Sequence, residues 1–112
     1  MAAKSPSPGA RVRGSTTGRP VMAAMDLLGR RWALRILWEL RSTPLRALEL
    51  KERCDQMSSS VLYQRLRELT DAGLVEQGTD DAFALTPLGR ELQGALEPLD
   101  AWSRRWAKSV KR

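Results

Sequence analysis

The sequence predicts a mainly α domain with one small β-hairpin, and three observations predict it. Apolar residues recur at three- and four-residue spacing in five separate tracts, the pattern of helices that each bury one face. Pro20, Gly29, Pro44, Gly73 and Pro87 stand between those tracts, where proline opens a helix and glycine closes one. Only Leu74 to Gln77 and Phe83 to Leu85 read as strands, and Gly78-Thr79-Asp80-Asp81 between them suits a tight turn.

Length and composition bound what such a domain does. At 112 residues the chain makes one domain with one small core, and a partner chain would let it bury more. There is no His, which removes Ser-His, Cys-His and His-metal chemistry, and the lone Cys54 cannot form an intrachain disulfide or a cysteine cluster. The expectation is a protein that is not an enzyme and uses no cofactor and no metal. The N-terminus lacks the apolar core of a signal peptide, and no apolar run approaches the ~20 residues of a membrane span, so a cytoplasmic protein is expected.

The net charge of +6 is concentrated at the ends. Residues 1–20 hold Lys4, Arg11, Arg13 and Arg19 with no acid, and residues 104–112 hold Arg104, Arg105, Lys108, Lys111 and Arg112 with no acid. Residues 21–103 carry 10 basic and 13 acidic side chains, a net −3. Attraction to a polyanion must therefore come from local clusters and the ends, not from the whole domain. The expected division is a flexible basic arm over 1–19, a folded domain over 20–107 and a basic tail over 108–112. The arm is rich in Ala, Ser, Pro, Gly and Arg and has too few large apolar side chains to repay the entropy of ordering.

Within the domain, Pro20 opens a first helix, PVMAAMDLL, which Gly29 closes. A second helix is expected from about Arg31 to Leu40, so apolar that only Arg31, Arg35 and Glu39 form a polar stripe; it must touch neighbours on more than one side. Pro44 breaks the chain before a third helix from Ala47 to Cys54, with Ala47, Leu50 and Cys54 on one face. Cys54 then reads as a small core residue; the alternative, a reactive sensor thiol, lacks a clear cationic activator beside it in sequence.

The fourth helix organises the rest. Ser58 is its N-cap, Met57 and Leu62 are placed as a hydrophobic staple, and Gly73 followed by Leu74 marks its end. Leu62, Leu66 and Leu69 form one apolar stripe. The other face carries Ser59, Ser60, Tyr63, Gln64 and Arg67. Those groups suit DNA, because Gln pairs bidentately with adenine, Ser reads donors or acceptors, and Arg grips guanine or phosphate. They also suit an ordinary solvated helix face, and this helix alone leaves both readings open.

Its neighbours decide. A short helix, the turn Asp55-Gln56-Met57 and a capped second helix with a polar outer face make a helix-turn-helix, and the following hairpin makes a wing. Thr86 and Pro87 start a last helix whose Leu88, Leu92, Leu96, Leu99, Trp102, Trp106 and Val110 recur every three or four residues. Pro98 should kink it, having no N–H for the carbonyl of Gly94. Such a long apolar seam exceeds what one small core covers, so Leu92, Leu96, Leu99, Trp102 and Trp106 are expected to join a second copy; folding back on the same domain is the alternative. The fold class is thus a winged helix-turn-helix with an extended C-terminal dimerisation helix. Trp32, Trp38, Trp102 and Trp106 read as packing, and a pocket for a small-molecule effector of unknown identity is the other reading.

The tracts MDLLGRRWALRIL, SSSVLYQRLRELTDAGLV and LTPLGREL, in this order, closely resemble the HxlR-type branch of bacterial transcription regulators, within the MarR-like winged helix superfamily. The likeness runs from Pro20 to about Trp106. It implies a homodimer joined through its first and last helices, with each recognition helix in a major groove of double-stranded DNA and each wing beside a minor groove. On this resemblance Ser58 is the family's cap, Ser59, Ser60, Tyr63, Gln64 and Arg67 fall on DNA-facing positions, and Arg46 falls on a basic position that contacts the DNA backbone. Arg19 stands where many relatives carry a Cys used in redox or electrophile sensing. The wing is clipped and carries Asp80 and Asp81 where relatives are often basic, and Arg35 replaces a usually apolar residue.

The function expected is a sequence-specific, nucleoid-associated regulator that binds an inverted-repeat operator as a homodimer, with Arg11, Arg13 and Arg19 of the arm as further DNA contacts. The alternative is a winged-helix module that contacts protein, suggested by the acidic centre and the wing's aspartates. Indifference of partner binding to Gln64, with sensitivity to the wing, would distinguish it.

Overall fold

The structure, a computed structural model, describes residues 19–111. Five helices and one hairpin follow in the order α1 (Pro20–Leu28), α2 (Ala33–Glu39), α3 (Ala47–Arg53), α4 (Ser59–Asp71), β1 (Val75–Gln77), β2 (Phe83–Leu85) and α5 (Pro87–Val110). Residues 1–18 of the expected arm, with Arg11 and Arg13, lie outside the described residues; Arg19, expected in the arm, is the N-cap of α1 and its carbonyl accepts from the N–H of Met22 and Ala23 at 3.0 and 3.2 Å.

Helix α2 is shorter than the Arg31 to Leu40 expected from periodicity. Trp32 takes a left-handed conformation, φ 78°, that a helix cannot continue through. That conformation costs a non-glycine residue about 1–3 kcal/mol. The compensation is tertiary: Trp32 packs partly buried against the core, and the Arg31 carbonyl, outside the helix, accepts a bond from Arg65 Nε of α4 at 2.8 Å.

One core gathers a stripe from each of the first four helices and the hairpin. Leu27, Ile36, Leu37, Leu50, Cys54, Leu62, Leu66, Leu69, Val75, Phe83 and Leu85 are all buried in one cluster. Burying each large aliphatic side chain contributes about 1.5–3 kcal/mol, so the stripes are what hold the helices in place. Met57 and Leu62 both belong to that cluster, as a staple across the start of α4 requires.

Strands β1 and β2 pair antiparallel, Val75 with Leu85 and Gln77 with Phe83. A third segment joins them that periodicity did not reveal. Leu45 exchanges both backbone bonds with Phe83, at 2.9 and 2.8 Å, and ties the wing to the chain ahead of α3.

Helix α5 is anchored at its start. Thr86 Oγ1 accepts from Gly89 N–H at 3.0 Å, and the Thr86 N–H donates to the Leu74 carbonyl at 3.0 Å. Gly89 lies so close to that carbonyl that a Cβ there would overlap it. From there α5 runs through Pro98 to Val110, so Lys108 lies in the helix.

Candidate nucleic-acid interface

The turn from α3 into α4 is built from two left-handed residues, Asp55 and Gln56, each with φ 57°. Their conformation swings the chain so that α4 starts at once. Ser58 caps it, its Oγ accepting from Val61 N–H at 3.3 Å and lying 2.9 Å from Ser60 Oγ. At the far end Gly73, φ +81°, lets its own N–H reach the Thr70 carbonyl and the Leu74 N–H reach the Leu69 carbonyl, both at 3.0 Å. That is a Schellman ending, which satisfies two carbonyls the helix leaves open.

Between those ends the helix divides cleanly. Leu62, Leu66 and Leu69 are buried, while Ser58, Ser59, Ser60, Tyr63, Gln64 and Arg67 are all exposed. Arg46 is exposed too, at the start of α3, where its backbone N–H donates to Glu49 Oε1 at 2.9 Å. Tyr63 and Arg67 also line a groove of ≈ 250 Å³ that runs between α4 and the wing residues Gln77 and Phe83.

A buried ionic network ties α4 to the α1–α2 corner. Glu68 accepts from Arg30 at 2.7 Å and from Arg65 at 3.0 Å, and Arg30 also pairs with Asp26 of α1 at 3.3 Å. With the Arg65 bond to Arg31, the α1–α2 corner grips one side of α4 at several points. The sequence reading missed this network. Arg65 and Glu68 have a helical pair spacing that sequence displays, but Arg30 lies 38 residues from Glu68. It also missed Lys51, whose Nζ donates to Ser59 Oγ at 3.1 Å across the helix-turn-helix.

Elsewhere, Arg35 forms a polar bracket. It pairs with Glu39 at 2.9 Å and Asp55 at 3.5 Å, and donates to the Arg53 carbonyl, tying α2 to the α3–α4 turn. Cys54 beneath it is 0% exposed. Burial pushes the Cys54 thiol pKa up, and the charge of Arg35 offsets this only in part. This is a core cysteine.

The wing carries no Lys or Arg from Asp71 to Leu88. Asp80 Oδ1 accepts from the Ala82 N–H at 3.2 Å, and Gln77 Nε2 donates to the Asp81 carbonyl at 3.2 Å, so the loop is closed by its own polar groups.

The seam of α5 is covered only in part by its own domain. Leu92 packs against the core and Leu96 is partly buried, but Leu99 is 50%, Trp102 48% and Trp106 55% exposed. Trp102 and Trp106 stack, ring centroids 5.8 Å apart. Val21 and Met25, one turn apart on α1, are exposed as well.

Comparison with known proteins assigns this arrangement. The family model described as HxlR-like helix-turn-helix matches residues 27–111. The chain belongs to the HxlR family. Its relatives include the HTH-type transcriptional regulator YodB of Bacillus subtilis, 30% identical over 96 residues that span 80% of this chain and 86% of that protein. The crystal structure of quinone-bound YodB superposes with a TM-score of 0.70 at 32% identity, over 76% of this chain and 94% of that one. A MarR-family regulator structure from Enterococcus faecalis gives a TM-score of 0.71 at 26% identity, over 89% of this chain and 96% of that one.

The HxlR chain is therefore a DNA-binding transcription regulator with a winged helix-turn-helix fold, in a family of regulators and not of enzymes. Among the described residues, no helix is long and apolar enough to cross a membrane.

Proposed function

We propose that this HxlR regulator acts as a homodimer that lays one copy of α4 in each of two major-groove half-sites of an inverted-repeat operator. The observation that carries the reading is the exposed face of α4, where Ser59, Ser60, Tyr63, Gln64 and Arg67 project opposite a fully buried leucine stripe. A rigid helix with donors and acceptors on its outer face is what direct readout needs. Gln64 reads a base edge, Arg67 takes guanine or a phosphate, and Arg46 holds the backbone. Arg11, Arg13 and Arg19 add contacts from the N-terminal side.

The uncovered seam of Leu99, Trp102 and Trp106 supports the dimer, since an apolar surface of this kind is stable when a second copy covers it. Two recognition helices related by a two-fold axis read half-sites roughly 34–36 Å apart. The test measures binding to DNA upstream of its own gene and to random DNA at the same salt, with a footprint and a light-scattering mass. Equal affinity for both, across several candidate promoters, removes sequence-specific binding; a single unrepeated footprint or a monomeric mass removes the dimer.

YodB has been crystallised with quinone bound. The one cysteine of this chain, Cys54, is buried, which argues against a sensing role for it.

A further inference from the structure

Ser59 stands first on the recognition helix, and its hydroxyl is not chemically neutral about what it reads. A free serine hydroxyl serves equally as donor and acceptor. Here the ammonium of Lys51 donates to Ser59 Oγ at 3.1 Å. That contact occupies one lone pair, places a positive charge beside the oxygen and leaves the O–H directed to other partners. A hydroxyl so polarised donates more strongly, and any N–H approaching its oxygen meets the like polarity of the ammonium. Lys51 has three donor hydrogens, and Ser59 is its one hydrogen-bond partner among the described residues. The remaining donors lie beside the same exposed helix start. Both members of the pair therefore offer hydrogens and disfavour them.

Base edges in the major groove differ in this respect. Guanine presents two adjacent acceptors, N7 and O6, enough for both members of the pair, whereas thymine presents one acceptor beside a methyl group, cytosine an amino donor, and adenine one acceptor beside an amino donor. We infer that Lys51 and Ser59 act as one composite donor that selects guanine at one position of each half-site. The inference rests on the operator-reading function proposed above and specifies one element of it. Lys51 acts both as a contact and by positioning Ser59, which separates it from a lysine that merely neutralises phosphate.

The test is selection from a randomised duplex library with the full-length protein and the variants Lys51→Met, Lys51→Arg and Ser59→Ala, each first checked for an unchanged thermal unfolding curve. The full-length protein should enrich guanine at one position per half-site, and 7-deazaguanine there, which lacks the N7 acceptor, should weaken binding about tenfold. Lys51→Met should abolish both the guanine preference and the 7-deazaguanine penalty at that position while preferences elsewhere persist. Lys51→Arg should keep them, and Ser59→Ala should reduce them. If Lys51→Met does not fold, Ser59→Ala decides: full retention of the guanine preference overturns the inference. Retention of that preference in Lys51→Met, with only a shallower salt dependence, makes Lys51 a phosphate contact and overturns it as well. Enrichment of no sequence by the full-length protein removes the operator-reading function, and the inference with it. Enrichment of a clear operator without the guanine removes the inference alone.

Discussion

Gln64 and Cys54 mark the two extremes of what a single side chain does in this domain. Gln64 is exposed on α4 with no part in the core, so Gln64→Ala leaves the fold intact. Against the preferred operator it should cost about 1–3 kcal/mol and flatten discrimination at one base position. Competition binding against single-base operator variants measures both, and a uniform loss across the variants would show that Gln64 holds the backbone. Cys54 sits in the core, where burial raises its thiol pKa above the ordinary value. The folded state thus favours the neutral thiol more than the unfolded chain does. That contribution to stability is fully present below the ordinary thiol pKa, about 8.5, and is lost as pH rises through the folded value. Denaturant midpoints taken from pH 7 to 10 should fall more steeply for the native protein than for Cys54→Ala, and parallel curves would contradict the burial argument. In the native state the thiol should resist alkylation, and DNA binding should be indifferent to oxidants.

Helix α4 was legible in the sequence because its cap, staple and Schellman glycine are local signals, each acting within a few residues. Its exposed and buried faces follow from periodicity alone, so Ser59 to Arg67 could be placed without any tertiary information. What sequence does not display is tertiary: the left-handed Trp32 that shortens α2, the pairing of Leu45 with Phe83, and the reach of Arg30 to Glu68. Yet the last of these ties the recognition helix to the end of α1. Glu68→Gln keeps the shape but leaves two guanidinium groups around a neutral acceptor, with side chains only 9–16% exposed. Removing one charge from a buried pair is costly, and about 3 kcal/mol of stability should be lost, read as a lower urea midpoint at unchanged slope. A loss under about 0.5 kcal/mol would mean that packing alone holds α4. The wing permits a change in the opposite direction. Asn at Asp80 and Asp81 still accepts the Ala82 N–H and tolerates the positive φ of 67° at residue 81, so the loop survives. Relieved of repulsion from phosphates, the double variant should bind specific and random DNA modestly more tightly, and weaker binding would show that the carboxylates take part in recognition.

Across the whole molecule the charge is divided in a way that no one element reveals. Residues 21–103 carry a net −3 and the wing has no cation from Asp71 to Leu88, so on the proposed reading the folded centre meets DNA through local cations such as Arg46, Lys51 and Arg67. Lys4, Arg11 and Arg13 form a group at the N-terminal end with no acid among residues 1–18. Basic segments ahead of a helix-turn-helix are able to lie along phosphates or enter a minor groove, which would supply what this wing cannot. Each phosphate neutralised releases counterions and adds about 0.9 to the slope of log affinity against log salt. Deleting residues 1–18 should therefore weaken binding to specific and random DNA alike and make that slope shallower by about 0.9 for each phosphate no longer neutralised. The weakening carries no sequence preference, which distinguishes it from the effect expected of Gln64→Ala. An unchanged slope would show that residues 1–18 neutralise no phosphate, and would leave the backbone grip to Arg46, the start of α4 and the other cations of the chain.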